Sequence, residues 1–427
     1  MDIGKQMYSW ASDLFGVNRS ITGDGVRETL AYFSNLIPDI KSQNVPSGTK
    51  AFDWTIPDEW SINSAYIEDE FGKKIVNFNE NNLHVVGYSI PVDRLIDLEE
   101  LKEHLHSIPD QPDAIPYVTS YYSRTWGFCM SDNLKRSLKP GKYKVFIDSK
   151  IYPGFLDFGE LIIPGETKKE VLLSTYICHP SMANNELSGP VVTIALAKWL
   201  LSLKKRKYTY RIIFIPETIG SIAYLSMKLQ HMKKYTVAGF VVTCMGDNLT
   251  YSFMPSKRGD TLADRAALHT LKNNVKEFTE YSFLERGSDE RQYCSPGVDL
   301  PVCSIMRSKY GTYPEYHTSL DDLSFISPAG LKGGLEILKK TIQAIELNNF
   351  YLTLSICEPQ LGKRGLYPNT STKETFSKTR RMMNLLAYAD GKTDLIDLAN
   401  QIDEDITDLY PLVDALVDTK LLKKISY

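Results

Sequence analysis

The pattern of hydrophobic and polar positions changes several times along the chain. Residues 4–37 carry apolar side chains near helical spacing, which predicts a helical region. Residues 51–150 hold short β-branched and aromatic runs between Pro, Gly and Asn residues. This pattern predicts an all-β segment with one helix near Asp97–His106. We therefore expect a β-rich inserted domain at 51–150.

From about residue 168, short apolar runs alternate with longer helical patterns. The runs VLLSTYI, YRIIFIP and AGFVVTC are typical of buried parallel strands, and VVTIALAKWLLSL and IGSIAYLSMKLQHM between them are typical of helices. The alternation predicts an α/β domain with a mixed, mostly parallel sheet flanked by helices. We assign residues 1–50 and 151–355 to it, and we expect ligands beyond the carboxyl ends of its strands.

Residues 362–427 show three helical patterns and a short tail, which predicts a C-terminal winged-helix domain. A helix that enters a DNA groove needs positive charge. The corresponding helix here has no Lys or Arg before Lys420 and instead carries Asp405, Asp408, Asp414 and Asp418. We therefore expect an interaction or packing module, without a nucleic-acid partner.

The composition narrows the class of protein. The chain has 427 residues, a formal charge of −3 and 43% hydrophobic residues, as in globular proteins with a sizeable core. No apolar run approaches the roughly 20 residues of a membrane span, and the first residues lack a signal-peptide core. The six Cys form no CxxC pair and are interpreted as reduced thiols. A cytoplasmic protein that does not bind membranes is the expectation.

The stretch STYICHPSMANNELSGP, from Ser174 to Pro190, carries the first candidate site residues. His179 follows a predicted strand and precedes a polar loop, where a neutral imidazole is a common zinc ligand. Asn185 and Glu186 lie in this loop, before the helix that begins near Gly189. Helix capping by Asn or Ser, with Glu186 complementing the helix dipole, is the alternative interpretation.

Further candidates follow the next strands and loops. Glu217, in IIFIPETIGS, is expected beside His179, where it could bind a metal or accept a proton from water, or simply cap a helix. Cys244 follows the third strand. His317 lies in YGTYPEYHTSLDD, and Asp289 in RGSDERQY is a loop acid that we expect at the same mouth.

The order of these residues resembles that of zinc aminopeptidases of the co-catalytic exopeptidase type over about residues 165–350. Over nearly the whole chain, the sequence is similar to a bacterial group of aminopeptidase-like proteins linked with polysaccharide biosynthesis. The stretches that carry this similarity include NRSITGDGVRETL, DWTIPDEWSI, HVVGYSIPV, IPYVTSYYSRTWGFCMS and IPETIGSIAYLS. The resemblance implies a zinc-exopeptidase-like α/β domain, a β-rich insertion and a C-terminal winged helix.

Carried over residue by residue, the resemblance implies that His179 and His317 are zinc ligands and that Glu217 is the general base. Three carboxylate ligands of the family are replaced here by Asn185, Thr218 and Cys244. Two neighbouring divalent ions need bridging negative charge, which a neutral Asn does not supply, so we expect one zinc ion per site.

The third ligand is left open between Glu186 and Glu217, with a Cys244 thiolate as a further alternative. We favour Glu186 as the ligand, because Glu217 cannot be both a ligand and a free base.

The leading hypothesis is a zinc-dependent hydrolase of the aminopeptidase type that acts on a small peptide or an amide-bearing sugar precursor. We expect substrate contacts from Tyr122, Arg124, Trp126 and Tyr316, although core packing is the alternative for each aromatic residue. The competing hypothesis is a catalytically inactive binding or assembly protein with a winged-helix interaction module. A homo-oligomer is left open.

Overall fold

The computed structural model describes residues 2–366 and 373–425, without the side chains of 373–376. Contacts between Cα atoms divide the chain into two units. One unit comprises Met1–Lys257 and Thr279–Leu335, and the other comprises Arg258–Phe278 and Glu336–Tyr427. The extents of the three sequence-predicted domains therefore stay predictions.

The α-helices of the described residues are numbered along the chain. They are α1 (Ile3–Phe15), α2 (Asp24–Leu36), α3 (Leu98–Glu103), α4 (Asp132–Ser137), α5 (Ser188–Ser202), α6 (Ile219–Tyr235), α7 (Leu262–Asn274), α8 (Glu290–Tyr293), α9 (Pro328–Leu347), α10 (Lys373–Tyr388), α11 (Leu395–Gln401) and α12 (Ile406–Asp418). In the same residues, no helix is long and apolar enough to cross a membrane.

The strands are numbered in the same way. They are β1 (Lys41–Pro46), β2 (Lys50–Ala51), β3 (Trp54–Thr55), β4 (Glu59–Glu68), β5 (Lys74–Asn77), β6 (Val92–Asp97), β7 (Leu105–His106), β8 (Phe128–Cys129), β9 (Lys142–Tyr152), β10 (Phe155–Ile163), β11 (Glu170–Tyr176), β12 (Thr209–Ile215), β13 (Thr236–Val241), β14 (Ser252–Met254), β15 (Thr279–Glu280), β16 (Val302–Met306), β17 (Phe350–Thr353), β18 (Asp390–Asp394) and β19 (Leu422–Ile425).

An eight-stranded mixed sheet forms the centre of the first unit, in the order β1-β10-β12-β11-β13-β16-β14-β15. The four central strands β12, β11, β13 and β16 are parallel to one another. All seven residues of β11 are buried, which explains the continuous apolar run in its sequence. The predicted mixed, mostly parallel α/β sheet is confirmed.

Residues between β4 and β9 build a second, antiparallel sheet in the order β5-β4-β9-β6. Its buried face includes Ile67, Val76, Ile96, Val145 and Ile147, which come from alternate positions of the strands. The short helix α3 begins after Asp97, whose carboxylate accepts a hydrogen bond from the backbone N–H of Glu100. These elements account for the β-rich pattern of this part of the sequence.

The second unit contains the predicted winged helix. Its three-stranded antiparallel sheet has the order β18-β17-β19, and α10, α11 and α12 accompany it. Asp394 precedes α11, accepts a hydrogen bond from the backbone N–H of Asp397, and binds Arg265 of α7 through two hydrogen bonds of 2.9 and 2.8 Å. Such paired contacts fix the guanidinium in one orientation.

Close packing requires the glycine at the start of α5. A side chain at Gly189 would place its Cβ 2.3 Å from the carbonyl oxygen of Val242, just after β13. Pro190 lies in the first turn, where its missing N–H has no cost. No side chain caps this helix, so the interpretation that Asn or Ser caps it is wrong. The polar groups of the preceding loop serve other contacts.

Candidate active site

Several candidate residues lie just after the carboxyl ends of three parallel strands, at one edge of the sheet. Cys178 and His179 follow β11, Glu217 follows β12, and Cys244 follows β13. His317 belongs to the loop between β16 and α9, and its backbone carbonyl accepts a hydrogen bond from the N–H of Tyr117. Because carboxyl ends of parallel strands meet at one edge, residues distant in sequence become neighbours.

A π-helical segment, Ala183–Leu187, turns the loop residues in different directions. In it, the backbone N–H of Leu187 bonds to the carbonyl of Met182, five residues earlier. The side chain of Glu186 contacts His179, whereas that of its neighbour Asn185 contacts Tyr176. Such segments occur frequently at functional sites.

A buried carboxylate fixes the ring of His179. Nδ1 of His179 lies 2.7 Å from Oε2 of Glu186, and Oε1 of Glu186 lies 3.7 Å from Nε of Arg19. The Arg19 guanidinium also donates to the backbone carbonyl of His179 at 3.0 Å. Burial lowers the pKa of His179, but Cys178 and Glu186 outweigh it and raise the pKa well above its usual value. This arrangement leaves Nε2 of His179 directed away from Glu186.

Glu217 lies on the Nε2 side of His179. Its Oε2 is 3.7 Å from Nε2 of His179, and its Oε1 accepts a hydrogen bond of 2.7 Å from the Ser288 hydroxyl. Burial raises the pKa of Glu217, although the charge of His179 opposes this shift. The N-cap residue of α6 is Thr218, and no side chain makes a capping hydrogen bond to this helix, so the capping interpretation of Glu217 is wrong.

His317 places a second imidazole beside the first. Its ring centroid is 5.4 Å from that of His179, and it stacks on Tyr316 at 3.9 Å. Burial and the charge of His179 lower the pKa of His317 to about 3, so its ring is neutral. Within the described residues, the buried Nε2 atom of His317 has no hydrogen-bond partner. A neutral, unpartnered ring nitrogen can act as a metal ligand.

Neutral groups occupy the other side of the loop. Asn185 donates a 2.9 Å hydrogen bond to the hydroxyl of Tyr176, which in turn lies 2.5 Å from the hydroxyl of Thr243. Sγ of Cys244 is 3.9 Å from the Asn185 amide, and burial raises the pKa of this thiol to about 12. No ionised group is contributed by these four side chains at neutral pH.

The segment 288–291 attaches to the turn that carries Glu217. Oδ1 of Asp289 accepts hydrogen bonds from the Thr218 N–H at 2.7 Å and from the Ser221 hydroxyl at 2.8 Å. Burial and the neighbouring Glu217 raise the pKa of Asp289 to about 7. The Arg291 guanidinium donates to the Thr218 hydroxyl at 2.5 Å. Asp289 therefore positions the turn that carries Glu217. Its side chain is fully buried and does not line the cavity, in contrast to the expected position at the mouth of the site.

A cavity of about 460 Å³ opens above these residues. His179, Glu217 and His317 line it together with Cys178, Ile21, Trp54, Tyr117, Thr119, Tyr121, Tyr122, Thr218, Ile219 and Arg291. A cavity of this size accommodates a small ligand.

Two of the expected substrate contacts do not reach this cavity. The Trp126 side chain is buried and stacks on His104 at 3.6 Å, so the core-packing alternative describes it. Arg124 pairs with Asp58 at 3.3 Å. Tyr122 lines the cavity as expected, and Tyr316 stacks on a residue that does.

Left-handed backbone conformations gather around the site. Positive φ angles occur at Tyr121 (26°), Ser181 (42°), Thr218 (64°), Cys244 (52°) and His317 (57°). This conformation is unfavourable for residues with a side chain, particularly for a β-branched Thr. Surrounding contacts must therefore hold these residues in place, as is common where function constrains geometry.

One compact group of potential ligands is present in the described residues: Cys178, His179 and Glu186, whose atoms lie within 4.8 Å of one another. Burial raises the pKa of Cys178 to about 11, and its sulfur accepts a hydrogen bond from the Glu217 N–H. The 2.7 Å contact between His179 and Glu186 has the length of a hydrogen bond. A ligand role for Glu186 beside His179 and His317 stays a prediction.

Several residues that build the site were not singled out from the sequence. They are Arg19, Tyr117, Tyr176, Ser288 and Arg291. Arg19 lies within NRSITGDGVRETL, a stretch that carries the family similarity, and Ser288 lies within RGSDERQY, which contains the candidate residue Asp289. Neither their types nor their spacing indicated that they would contact Glu186 and Glu217.

The fold is shared with proteins of known structure. The structure superposes on a zinc aminopeptidase from Bacillus subtilis with a TM-score of 0.59 and 13% identity, over 80% of this chain and 95% of that one. Such low identity shows the fold alone, which is that of the zinc aminopeptidases.

The family is defined by closer similarity. Residues 8–348 match a domain of unknown function, DUF4910, and residues 349–424 match a winged helix-turn-helix. The chain therefore belongs to the DUF4910 family.

A Clostridium acetobutylicum protein, provisionally named for polysaccharide biosynthesis and an aminopeptidase-like domain, is 42% identical over 99% of this chain and 97% of its own length. A crystal structure from the same organism, provisionally described as a peptidase, superposes with a TM-score of 0.93 at 42% identity, over 99% of this chain and 96% of that chain. These findings confirm the resemblance inferred from the sequence.

Proposed function

We propose that this protein is a metal-dependent hydrolase of the aminopeptidase type, which cleaves an amide bond in a small peptide or an amide-bearing sugar precursor. The observation that carries the proposal is the pairing of two imidazoles at one wall of the cavity. His179 is oriented through Nδ1 by Glu186, and His317 has an unpartnered Nε2. A carboxylate that holds the far nitrogen of a His is the usual support of a metal-binding imidazole.

The residue types of these donors suit a single zinc ion, and His179 is the residue that they share with the compact group of Cys178, His179 and Glu186. The nitrogens of His179 and His317 would hold it, and the carboxylate of Glu217 lies on the same side as Nε2 of His179. Two imidazoles beside a carboxylate match the chemistry of zinc sites that keep an open position. When bound, such an ion supplies a Lewis acid that polarises a carbonyl and lowers the pKa of water.

The three positions at which the resemblance implies carboxylate ligands argue against a second ion. The side chains of Asn185, Thr218 and Cys244 are neutral, because the thiol pKa is raised and the other two groups do not ionise. A pair of divalent ions without bridging negative charge would repel each other strongly. The hydroxyl of Tyr176 is already hydrogen-bonded to Asn185 there.

We assign Glu217 the role of proton acceptor. One of its oxygens is held by Ser288, while the other faces Nε2 of His179. Its raised pKa brings it closer to neutral pH, which suits a general base. Glu186, favoured as a ligand from the sequence, is better suited by its 2.7 Å contact to orient His179.

A second candidate function rests on the same contact. The pair of His179 and Glu186 is satisfied without a metal, since the raised pKa of the imidazole lets it act as a cation beside the carboxylate. In that case the cavity binds a ligand without hydrolysing it.

We also propose the winged helix as an interaction module, because Asp408, Asp414 and Asp418 of α12 are exposed and would repel DNA.

Metal analysis combined with a hydrolysis screen tests the proposal. Protein purified without chelator is expected to hold about one zinc ion per chain and to hydrolyse one or more aminoacyl anilides or N-acyl amino sugars. Glu217→Gln should keep the metal and lose roughly 10²- to 10⁴-fold of the rate, as for loss of a general base. Metal lost together with activity would make Glu217 a ligand, and protein that cannot be loaded with metal would favour the second candidate.

A further inference from the structure

The cavity carries one guanidinium besides its two imidazoles. Among its described lining residues, Arg291 is the only Lys or Arg, and Glu217 is the only carboxylate. Arg291 is exposed and forms no ion pair within the part of the chain that the structure describes. An unpaired guanidinium at the wall of a small cavity is suited to bind an anion.

The position of Arg291 is fixed by the turn after β12. Its guanidinium donates to the hydroxyl of Thr218, and Asp289, two residues earlier, holds the backbone N–H of Thr218. A guanidinium has five N–H donors, so the contact with Thr218 leaves several of them for a ligand. Arg291 is thus held near Glu217, whose pKa its charge lowers, without forming an ion pair within the described residues.

Thr218 also has a particular place in this arrangement. It stands where the resemblance to zinc aminopeptidases places a metal-binding Glu. In this chain the Thr218 hydroxyl accepts a hydrogen bond from a guanidinium instead. Positive charge on this side of the cavity therefore comes from Arg291.

Two exposed aromatic rings lie at the same cavity. Trp54 and Tyr122 are 39% and 56% exposed, and their ring centroids are 6.0 Å apart. Few large aromatic side chains of the described residues are exposed, so two exposed rings on a cavity wall indicate a binding surface. Flat faces of this kind stack on planar or apolar faces of ligands.

We propose that the cavity selects a substrate with an anionic group, a carboxylate or a phosphate, which binds Arg291, while Trp54 and Tyr122 contact a flat apolar part of the same molecule. This inference rests on the proposed function in taking the cavity as the substrate site. It adds the substrate class: an acidic, ring-bearing amide. The carboxylate of Glu217, which lines the same cavity, would repel a polyanion more strongly than a single anionic group.

Binding of small probes tests the charge preference without turnover. In Glu217→Gln protein, N-acetyltryptophan should bind at least about tenfold more tightly than N-acetyltryptophanamide, as expected for a charge-assisted hydrogen bond. Arg291→Gln in the same background should remove this difference. Arg286→Gln is the matched control, because Arg286 stacks on Phe283 and does not line the cavity.

The outcomes separate the two possible anions and the two proposals. Phenyl phosphate is the phosphate probe, and whichever probe depends more strongly on Arg291 identifies the preferred group. Equal affinity for acid and amide, an unchanged preference in Arg291→Gln, or binding of neither probe overturns the inference. Hydrolysis without charge preference would remove this inference alone, whereas Arg291-dependent binding in a protein that cannot hydrolyse any amide would remove the proposed function alone.

A separate measurement tests whether the ligand stacks on the exposed aromatic rings of the cavity. Trp54→Ala should weaken N-acetyltryptophan and its amide by a similar factor of about five or more, because stacking does not depend on charge. Phe71→Ala is the control, since Phe71 is 86% exposed in the same β-rich segment and does not line the cavity. An unchanged affinity in Trp54→Ala would contradict a stacking role. Thermal unfolding of each variant confirms that it is folded.

Discussion

The two sides of the loop between β11 and α5 differ although they are a few residues apart. The histidine side (His179, Glu186, Glu217 and His317) combines ionisable groups with a cavity. The filled side (Tyr176, Asn185, Thr243 and Cys244) is buried and neutral, and hydrogen bonds link its side chains to one another. The comparison teaches that neighbouring residues of one loop can line a cavity on one side and form neutral core on the other.

Burial has opposite consequences on the two sides. Ionised groups on the histidine side are retained because His179, Glu186 and Arg19 form a connected set in which each charge has a partner. On the filled side, a hydroxyl and an amide bond to each other, which avoids the cost of burying a charge. The following changes test this difference, in order of decreasing expected effect.

The largest effect is expected for His179→Ala. It removes one imidazole of the histidine side, so bound zinc should fall to background and kcat/KM should fall by about 10³-fold or more. Metal content and hydrolysis rates are the measurements. His106→Ala, which changes an exposed His, should alter neither. Full metal content in His179→Ala would contradict the assignment of this side as the metal site.

Asn185→Asp should destabilise the filled side strongly. The new carboxylate would be buried with no cation beside it, so the free energy of unfolding should fall by about 3 kcal/mol. Chemical denaturation measures this change, and Asn79→Asp at an exposed position serves as control. If Asn185→Asp instead bound a second zinc ion and kept its stability, the two sides would differ less than we infer.

Asp321 makes the stability of the filled side depend on pH. Its carboxyl group accepts hydrogen bonds from the backbone N–H groups of Asn184 and Asn185, and burial raises its pKa to about 7. Because the folded-state pKa exceeds the ordinary value of 3.8, this contribution is fully present at low pH and is lost as pH rises through about 7.

The variant Asp321→Asn does not titrate, which isolates this contribution. The stability advantage of the natural protein over Asp321→Asn should shrink by about 2 kcal/mol between pH 4 and pH 7. Unfolding curves of both proteins across this range supply the measurement. An advantage that is constant or grows with pH would show that Asp321 is ionised in the folded protein throughout.

The smallest effect is expected for Tyr176→Phe. Loss of the hydroxyl leaves the Asn185 amide with only the Cys244 sulfur, 3.9 Å away, as an acceptor and should cost about 1 kcal/mol of unfolding free energy. Metal content and hydrolysis should stay unchanged, because the hydroxyl faces the filled side. A loss of activity without a loss of stability would place Tyr176 on the histidine side instead.

Much of the architecture could be predicted from local patterns. The runs that became β11, β12 and β13 are continuous and apolar because both faces of a parallel sheet are covered. His179 and Glu217 could be selected as candidate site residues because they follow predicted strands, and His317 because it lies in a later polar loop. Their meeting at one edge follows from strand direction, not from detailed packing.

Roles within the site could not be predicted in this way. Glu186 was favoured as a ligand, but the π-helical turn directs it to the Nδ1 atom of His179. Trp126 was considered for substrate contact, although its ring stacks on His104 in the core of the β-rich sheet. Spacing along the chain does not specify which nitrogen of a ring, or which face of a loop, a side chain will meet.

The sequence by itself determined the order of strands and helices, the neutral residues Asn185, Thr218 and Cys244, and therefore the shortage of charge for a second ion. These properties depend on residue type and on local periodicity. Only the tertiary structure decided that Tyr176 occupies the neutral side, that Glu186 orients His179, and that Arg291 lies in the cavity. The cavity joins residues as far apart in sequence as Ile21 and Arg291, because folding brings strand ends and loops together.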